Sequence, residues 1–122
     1  MRSFRLAGPV VGYLVEDGDR YEAETHLTVV RLDSGERWSS DPENRQIGSL
    51  TGFTEIAVDR LANAAWIRKG YDGSGHRIWR LFVRRAGTVS LRHRSRHELT
   101  RLRLGSLRVR WTQRGKRHKR SL

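Results

Sequence analysis

At 122 residues and without cysteine, the chain has the length of one domain and no means of forming a disulfide, a thiolate nucleophile or a thiolate metal site. Its formal charge of +12 is polarised: residues 1–59 hold eleven acidic and six basic side chains, net −5, and residues 60–122 hold two acidic and nineteen basic, net +17. A half so poor in carboxylate attracts polyanions through a salt-dependent field, whereas no apolar run approaches the roughly 20 residues of a membrane span, and residues 1–15 lack a signal peptide's apolar centre.

Short alternating apolar runs, punctuated by turn residues and never holding a 3.6-residue period, predict an all-β fold of antiparallel hairpins. Phe4 to Gly8 forms a short strand or turn, followed by a strand Val10 to Val15 and a turn at Asp17-Gly18. Around that turn lie Glu16, Asp17, Asp19, Glu22 and Glu24, which lack the spacing of a calcium loop and read as a solvated hairpin able to meet the cationic half of another copy. Strands His26 to Leu32 and Arg37 to Ser39 flank Asp33-Ser34-Gly35, and Asp41 to Gly52, with Pro42, Asn44 and Gly48, reads as a long loop. Thr54 to Asp59, Ala64 to Lys69, Arg77 to Arg84 and Thr88 to Arg94 follow, with turns at Asp72 to Gly75 and at Ala86-Gly87. Ser95 to Thr100 is a helical turn or a loop, and Leu102 to Leu104, Ser106 to Thr112 and Lys116 to Ser121 complete the strands, the last pair around Arg114-Gly115. The reading is a β domain over 1–113 with a basic terminal strand or tail over 114–122. Its expected core is Tyr13, Val30, Ile56, Val58, Trp66, Trp79, Leu81, Val83, Leu107, Val109 and Trp111.

An internal repeat is visible. Tyr13, Trp66 and Trp111 end similar strands, stand 53 and 45 residues apart, and are each preceded by a short strand or turn. That period fits β-propeller blades of about 40 to 50 residues. Gly12-Tyr-Leu-Val, the strand Leu27 to Asp33 before Ser-Gly, Ile56 to Ile67, and Ser106 to Gly115 with its Trp-Thr-Gln together resemble TolB or WD40-type propeller-like repeat proteins of uncharacterised function, common in actinobacteria. The resemblance covers most of the chain and implies propeller-like blades, secretion, and no particular activity. Two blades and part of a third cannot close a ring of at least four, so it implies an open assembly, a fragment, or completion by oligomerisation.

Strand alternation places Arg108 and Arg110 opposite Leu107, Val109 and Trp111, and Arg101 and Arg103 opposite Leu102 and Leu104. Arg80 and Arg84 likewise oppose Trp79, Leu81 and Val83, with Arg92 and Arg94 beyond the turn, so rows of arginine on the outer surface of a sheet are expected. With Arg114, Lys116, Arg117, Lys119 and Arg120 of the terminal segment, Arg101, Arg103, Arg108 and Arg110 form the candidate polyanion surface. The plain alternative is a hydrated arginine face. Trp66, Trp79 and Trp111 fall at core positions, whereas Trp38 and Tyr71 lie near turns as candidate exposed rings beside Arg37 and Arg68. His93 and His97, with Glu98, would need a helix to converge on a metal. Asp72-Gly-Ser-Gly-His76 brings Ser and His close together only as a turn, and no phosphate loop, nucleophile elbow or helical zinc motif is present. The sequence therefore points to a non-catalytic interaction or scaffold module without a cofactor, partnered by protein or by itself, with nucleic-acid binding as the alternative.

Overall fold

The computed structural model describes residues 4–18, 23–40, 43–44 and 52–122. Among these residues no helix occurs, and the strands fall into three antiparallel sheets that close neither a barrel nor a ring. The first sheet runs β1 (Phe4–Ala7), β2 (Val10–Gly18), β3 (Ala23–Arg31) and β4 (Arg37–Ser39) in chain order, with β5 (Glu43–Asn44) paired to β3. The middle sheet is β6 (Gly52–Val58), β7 (Ala64–Tyr71), β8 (Arg77–Arg85) and β9 (Thr88–Ser95). The third is β10 (Leu99–Leu104), β11 (Arg108–Gln113) and β12 (Lys116–Ser121). Tyr13, Trp66 and Trp111 each stand on the second strand of a different sheet.

Strands β6 and β7 of the middle sheet are buried on both faces, which explains why Ile56-Ala57-Val58 and Ala64-Ala65-Trp66-Ile67 are apolar without a break. Ile56, Val58, Ala64 and Trp66 pack with Val10, Leu27 and Val29 of the first sheet. The alternate residues Ala57, Ala65, Ile67, Leu81 and Val83 pack with Leu99, Leu102, Val109 and Trp111 of the third. Each fully buried Leu, Ile or Val contributes about 1.5–3 kcal/mol of transfer free energy. Gly12 permits the closest approach of the first two sheets, because a Cβ there would stand 2.5 Å from Val58 Cγ1.

Two connections of the middle sheet use one device. Asp59 Oδ1 accepts from the Leu61 and Asn63 N–H groups at 2.9 and 3.0 Å, and Asp72 Oδ1 accepts from Ser74 and His76 at 2.8 and 3.0 Å. Asn63 extends the first of these through Nδ2 to Asp59 Oδ2 and through Oδ1 to the Ala86 N–H. Tight hairpins at Ala86-Gly87 and Arg114-Gly115 place both central residues at positive φ, the geometry of a type I′ turn.

Several expectations are corrected. Tyr13 and Val30 are half-buried on the outer face of the first sheet rather than in a core, because Val10, Gly12 and Leu14 occupy its inner face. Leu107 is 69% exposed in the β10–β11 connection, and Trp79 is only partly buried. Strand β2 continues through Asp17-Gly18, paired to Glu24 and Ala23, so the turn itself lies outside the described residues, as do Asp19 and Glu22. Glu43 and Asn44 form a short strand inside the expected long loop. Of the helical turn or loop expected at Ser95 to Thr100, residues 96–98 take the loop, and β10 starts at Leu99, earlier than expected. The basic terminal segment, expected as strand or tail, takes the strand form over Lys116–Ser121, the bounds expected, hydrogen-bonded in register with β11.

Candidate polyanion interface

The arginines of the third sheet owe their direction to its inner face. Val109 and Trp111 are buried against the middle sheet, so Arg108 and Arg110 point outward. On β10 the buried residues are Leu99 and Leu102, three positions apart, a spacing that a regular strand cannot keep on one face. A bulge between Thr100 and Arg103 resolves the conflict, with Arg101 at φ 51°. The Leu102 N–H freed from the ladder donates to Glu55 Oε1 of β6 at 3.1 Å. The bulge thus keeps both leucines in the core and leaves Arg101 exposed beside Arg103.

Pairing across the strands then aligns the charges. Arg103 is opposite Arg110, and Arg110 is opposite Lys119, so three cations stand in one line across the sheet. Thr100, Thr112 and Arg117 form a neighbouring line, and Arg108 pairs with Ser121. Arg101, Arg103, Arg110, Thr112, Arg117 and Lys119 line a shallow groove of about 590 Å³. A second concavity of about 620 Å³ shares Arg103 and Arg110 with it and adds Arg108 and Ser106. No described carboxylate lines either groove, and none of these six cations makes an ion pair among the described residues.

Like charges directly opposite one another are unfavourable. At about 6 Å in water each pair costs roughly 0.7 kcal/mol, an amount that the burial of Leu99, Leu102 and Val109 on the other face outweighs several-fold. The fold therefore tolerates the arrangement, and an anion in the groove relieves it.

The nine sequence candidates divide by face. Arg101, Arg103, Arg108, Arg110, Arg117 and Lys119 share the outer surface. Lys116 and Arg120 alternate with them on β12, opposite Gln113 and Val109, and Arg114 sits in the connecting turn. Arg120 is turned back to the middle sheet, donating from Nη1 to the Arg92 carbonyl. On that same side the His93 and His118 rings lie 5.0 and 5.7 Å from Trp111, and His93 Nε2 contacts Gln113 Oε1 at 3.0 Å.

Of the other candidates, Arg84 and Trp38 are placed differently from expectation. Strand β8 lies in the middle layer, so Arg84 faces the first sheet instead of solvent, over the Trp38 ring at 4.6 Å and donating to the Ala62 carbonyl at 3.4 Å. Burial lowers its pKa from the usual arginine value, and a guanidinium so placed remains cationic. Trp38 is half-buried, 5.6 Å from Trp66, which stacks on Phe82 at 5.8 Å. Tyr71 is exposed at the end of β7. His97 lies in the bend after β9, while His93 is engaged with Gln113 and Trp111, and the described residues contain no group of three metal-ligating side chains. The Asp72 carboxylate is committed to its turn, held below the usual carboxylate range first by the His76 and Ser74 N–H groups. No helix is long and apolar enough to cross a membrane among the described residues. Comparison of the chain with protein-family models, with curated proteins and with solved structures returns no match.

Proposed function

We propose that the protein is a non-catalytic binding module whose working surface is the outer face of the third sheet and whose ligand is a polyanion, nucleic acid above all. One observation carries this reading: Arg103, Arg110 and Lys119 stand in register across three strands, without a described carboxylate near them. Arginine and lysine offer fixed charge and hydrogen-bond donors suited to phosphate, and neither titrates near neutrality as an acid or base catalyst would. Of the two rings that line the groove, Trp111 is buried and His118 stacks on it at 5.7 Å, so binding in this reading runs through the phosphate backbone and is independent of sequence.

The same proposal takes the three sheets as propeller-like blades in an open array. Supporting it are the consecutive meanders and the equivalent placement of Tyr13, Trp66 and Trp111 on second strands. In a stack of repeats the last layer needs a polar outer face, and the arginines supply one.

Fluorescence anisotropy with a labelled DNA duplex at about 50 mM salt tests the reading. Replacing Arg103, Arg110 and Lys119 together by Glu is expected to weaken binding by about a hundredfold or more. Replacing the exposed Arg37, Arg60 and Arg77 by Glu changes net charge equally and is expected to cost only several-fold. Equal losses would assign the binding to bulk charge, and undiminished affinity in the first variant would refute the site.

A further inference from the structure

At one end of the strands, each of the three sheets holds an exposed leucine in a turn. Leu32 of the β3–β4 turn, Leu61 of the β6–β7 turn and Leu107 of the β10–β11 turn are 66%, 67% and 69% exposed. Each backbone is nevertheless tied down. The Leu32 N–H donates to the Pro9 carbonyl at 2.7 Å, the Leu61 N–H donates to Asp59 Oδ1 at 2.9 Å, and the Leu107 carbonyl accepts from the Leu122 N–H at 3.0 Å. Turns favour Gly, Asn, Asp and Ser, and a leucine held outward in one adds nothing to a core. The described turns of the opposite end, at 72–76, 96–98 and 114–115, hold no apolar side chain.

Contacts between the turns hold this end together. A Cβ on Gly8, in the β1–β2 turn beside Leu32, would stand 3.2 Å from Arg60 Cγ, so the first and middle sheets meet there. Arg84 Nη1 and the Ala86 N–H join the β8–β9 hairpin to Ala62 and Asn63 beside Leu61. Arg85 Nη1 joins the same hairpin to the Leu122 carbonyl at 2.7 Å, and through Leu122 to Leu107. With sheets about 10 Å apart, the leucines spread over about 20 Å. In and beside their turns, the exposed Arg37, Arg60, Arg85 and Arg108 outnumber the exposed Asp33 and Glu36, and Arg31 pairs with Asp33 at 3.5 Å.

We propose that this end of the fold docks on the surface of a bilayer containing anionic phospholipid, with the leucines entering the headgroup boundary and the arginines meeting the phosphates. A single exposed leucine is ordinary. Three at separate points, with charged residues between them, leave no continuous apolar patch for a protein to cover, whereas fluid lipid receives each side chain separately. The excess of cations fits the headgroups: each one near an anionic surface strengthens binding roughly fivefold, and guanidinium pairs with phosphate through charge-assisted hydrogen bonds. Docking by the strand ends leaves the outer face of the third sheet open to its own ligand.

Sedimentation with vesicles needs no nucleic acid, and replacing the leucines keeps Arg103, Arg110 and Lys119, so failure here and failure of the duplex-binding site are distinguishable. Vesicles of phosphatidylserine and phosphatidylcholine at about 1 mM lipid and about 0.1 M salt are expected to retain the chain, and phosphatidylcholine alone to bind it about a hundredfold more weakly. Replacing Leu32, Leu61 and Leu107 together by Ser is expected to cost about a hundredfold with circular dichroism unchanged, since all three are exposed. Replacing Arg103, Arg110 and Lys119 by Gln is expected to cost only several-fold. The chain has no cysteine, so an environment-sensitive fluorophore on Leu61→Cys is expected to shift to the blue with anionic vesicles, and one on Ser74→Cys at the opposite end to stay unchanged. No retention by the anionic vesicles, retention undiminished by the three serines, a greater loss from the Gln variant than from the serines, or a blue shift at Ser74 alone would each overturn the proposal.

Discussion

Arg101 separates what the fold needs from what the cationic face needs. It is a non-glycine residue at φ 51°, in the bulge that lets Leu99 and Leu102 share the core. A left-handed conformation costs an L-residue about 1–2 kcal/mol, and glycine escapes that penalty while losing about 0.5–1 kcal/mol more backbone entropy on folding. Arg101→Gly also removes a charge from beside Arg103, Arg110 and Arg117, a relief of a few tenths of a kcal/mol in water. The sum is a stabilisation of about 0.5–1 kcal/mol, read as a rise of about 2–4 °C in Tm for a domain of this size. Duplex affinity is expected to fall several-fold as one phosphate contact is lost. Arg101→Ala is the control, losing the same affinity while gaining only the few tenths of a kcal/mol from the removed charge. Calorimetry and anisotropy on the three proteins decide the matter. A destabilised Arg101→Gly would refute the strain, and one that binds as tightly as wild type would remove Arg101 from the site.

Glu55→Ala leaves the Leu102 N–H without its acceptor and is expected to destabilise by about 1–3 kcal/mol in urea unfolding, with Glu55→Gln, which keeps an amide oxygen, losing less. Gly12→Ala drives a methyl into Val58 and is expected to cost about 1–3 kcal/mol, with Val58→Ala recovering part of it in a double-mutant cycle. The Asp72 carboxyl has a folded pKa below its unfolded value of about 3.9, so its stabilising bonds are fully present above that pH and fade as pH falls through the folded value. Asp72→Asn is therefore expected to flatten the acid side of the Tm profile, and an unchanged profile would show that the turn does not couple to protonation.

The strands were legible because alternation and turn chemistry agree along most of the chain. From Thr54 to Arg94 the observed strands follow the expected ones closely, and the turns at Ala86-Gly87 and Arg114-Gly115 lie where glycine placed them. The inner face of the first sheet was not legible, because Val10 and Leu14 on one side and Val11, Tyr13 and Val15 on the other are equally apolar. The packing of Val10 and Leu14 with the middle sheet and the contact of Gly12 with Val58 decide between them. In the third sheet, period-2 alternation correctly set Arg108 and Arg110 outward. The run from Lys116 to Arg120 has no apolar residue to mark its inner side, and its pairing with β11 was needed to divide Arg117 and Lys119 from Lys116 and Arg120. The bulge had one sign in the sequence, Leu99 and Leu102 three apart in a region of alternating arginine, and its meaning depended on both being buried.

The central claim is that a defined set of cations on the third sheet engages a phosphate backbone, and the salt dependence of duplex binding measures that set directly. If Arg101, Arg103, Arg108, Arg110, Arg117 and Lys119 all engage, log K against log salt has a slope near −5, about 0.9 per neutralised phosphate. Replacing Arg103, Arg110 and Lys119 by Gln is expected to reduce the slope by about 2.7. A wild-type slope near zero, or one that the three replacements leave unchanged, would contradict the account.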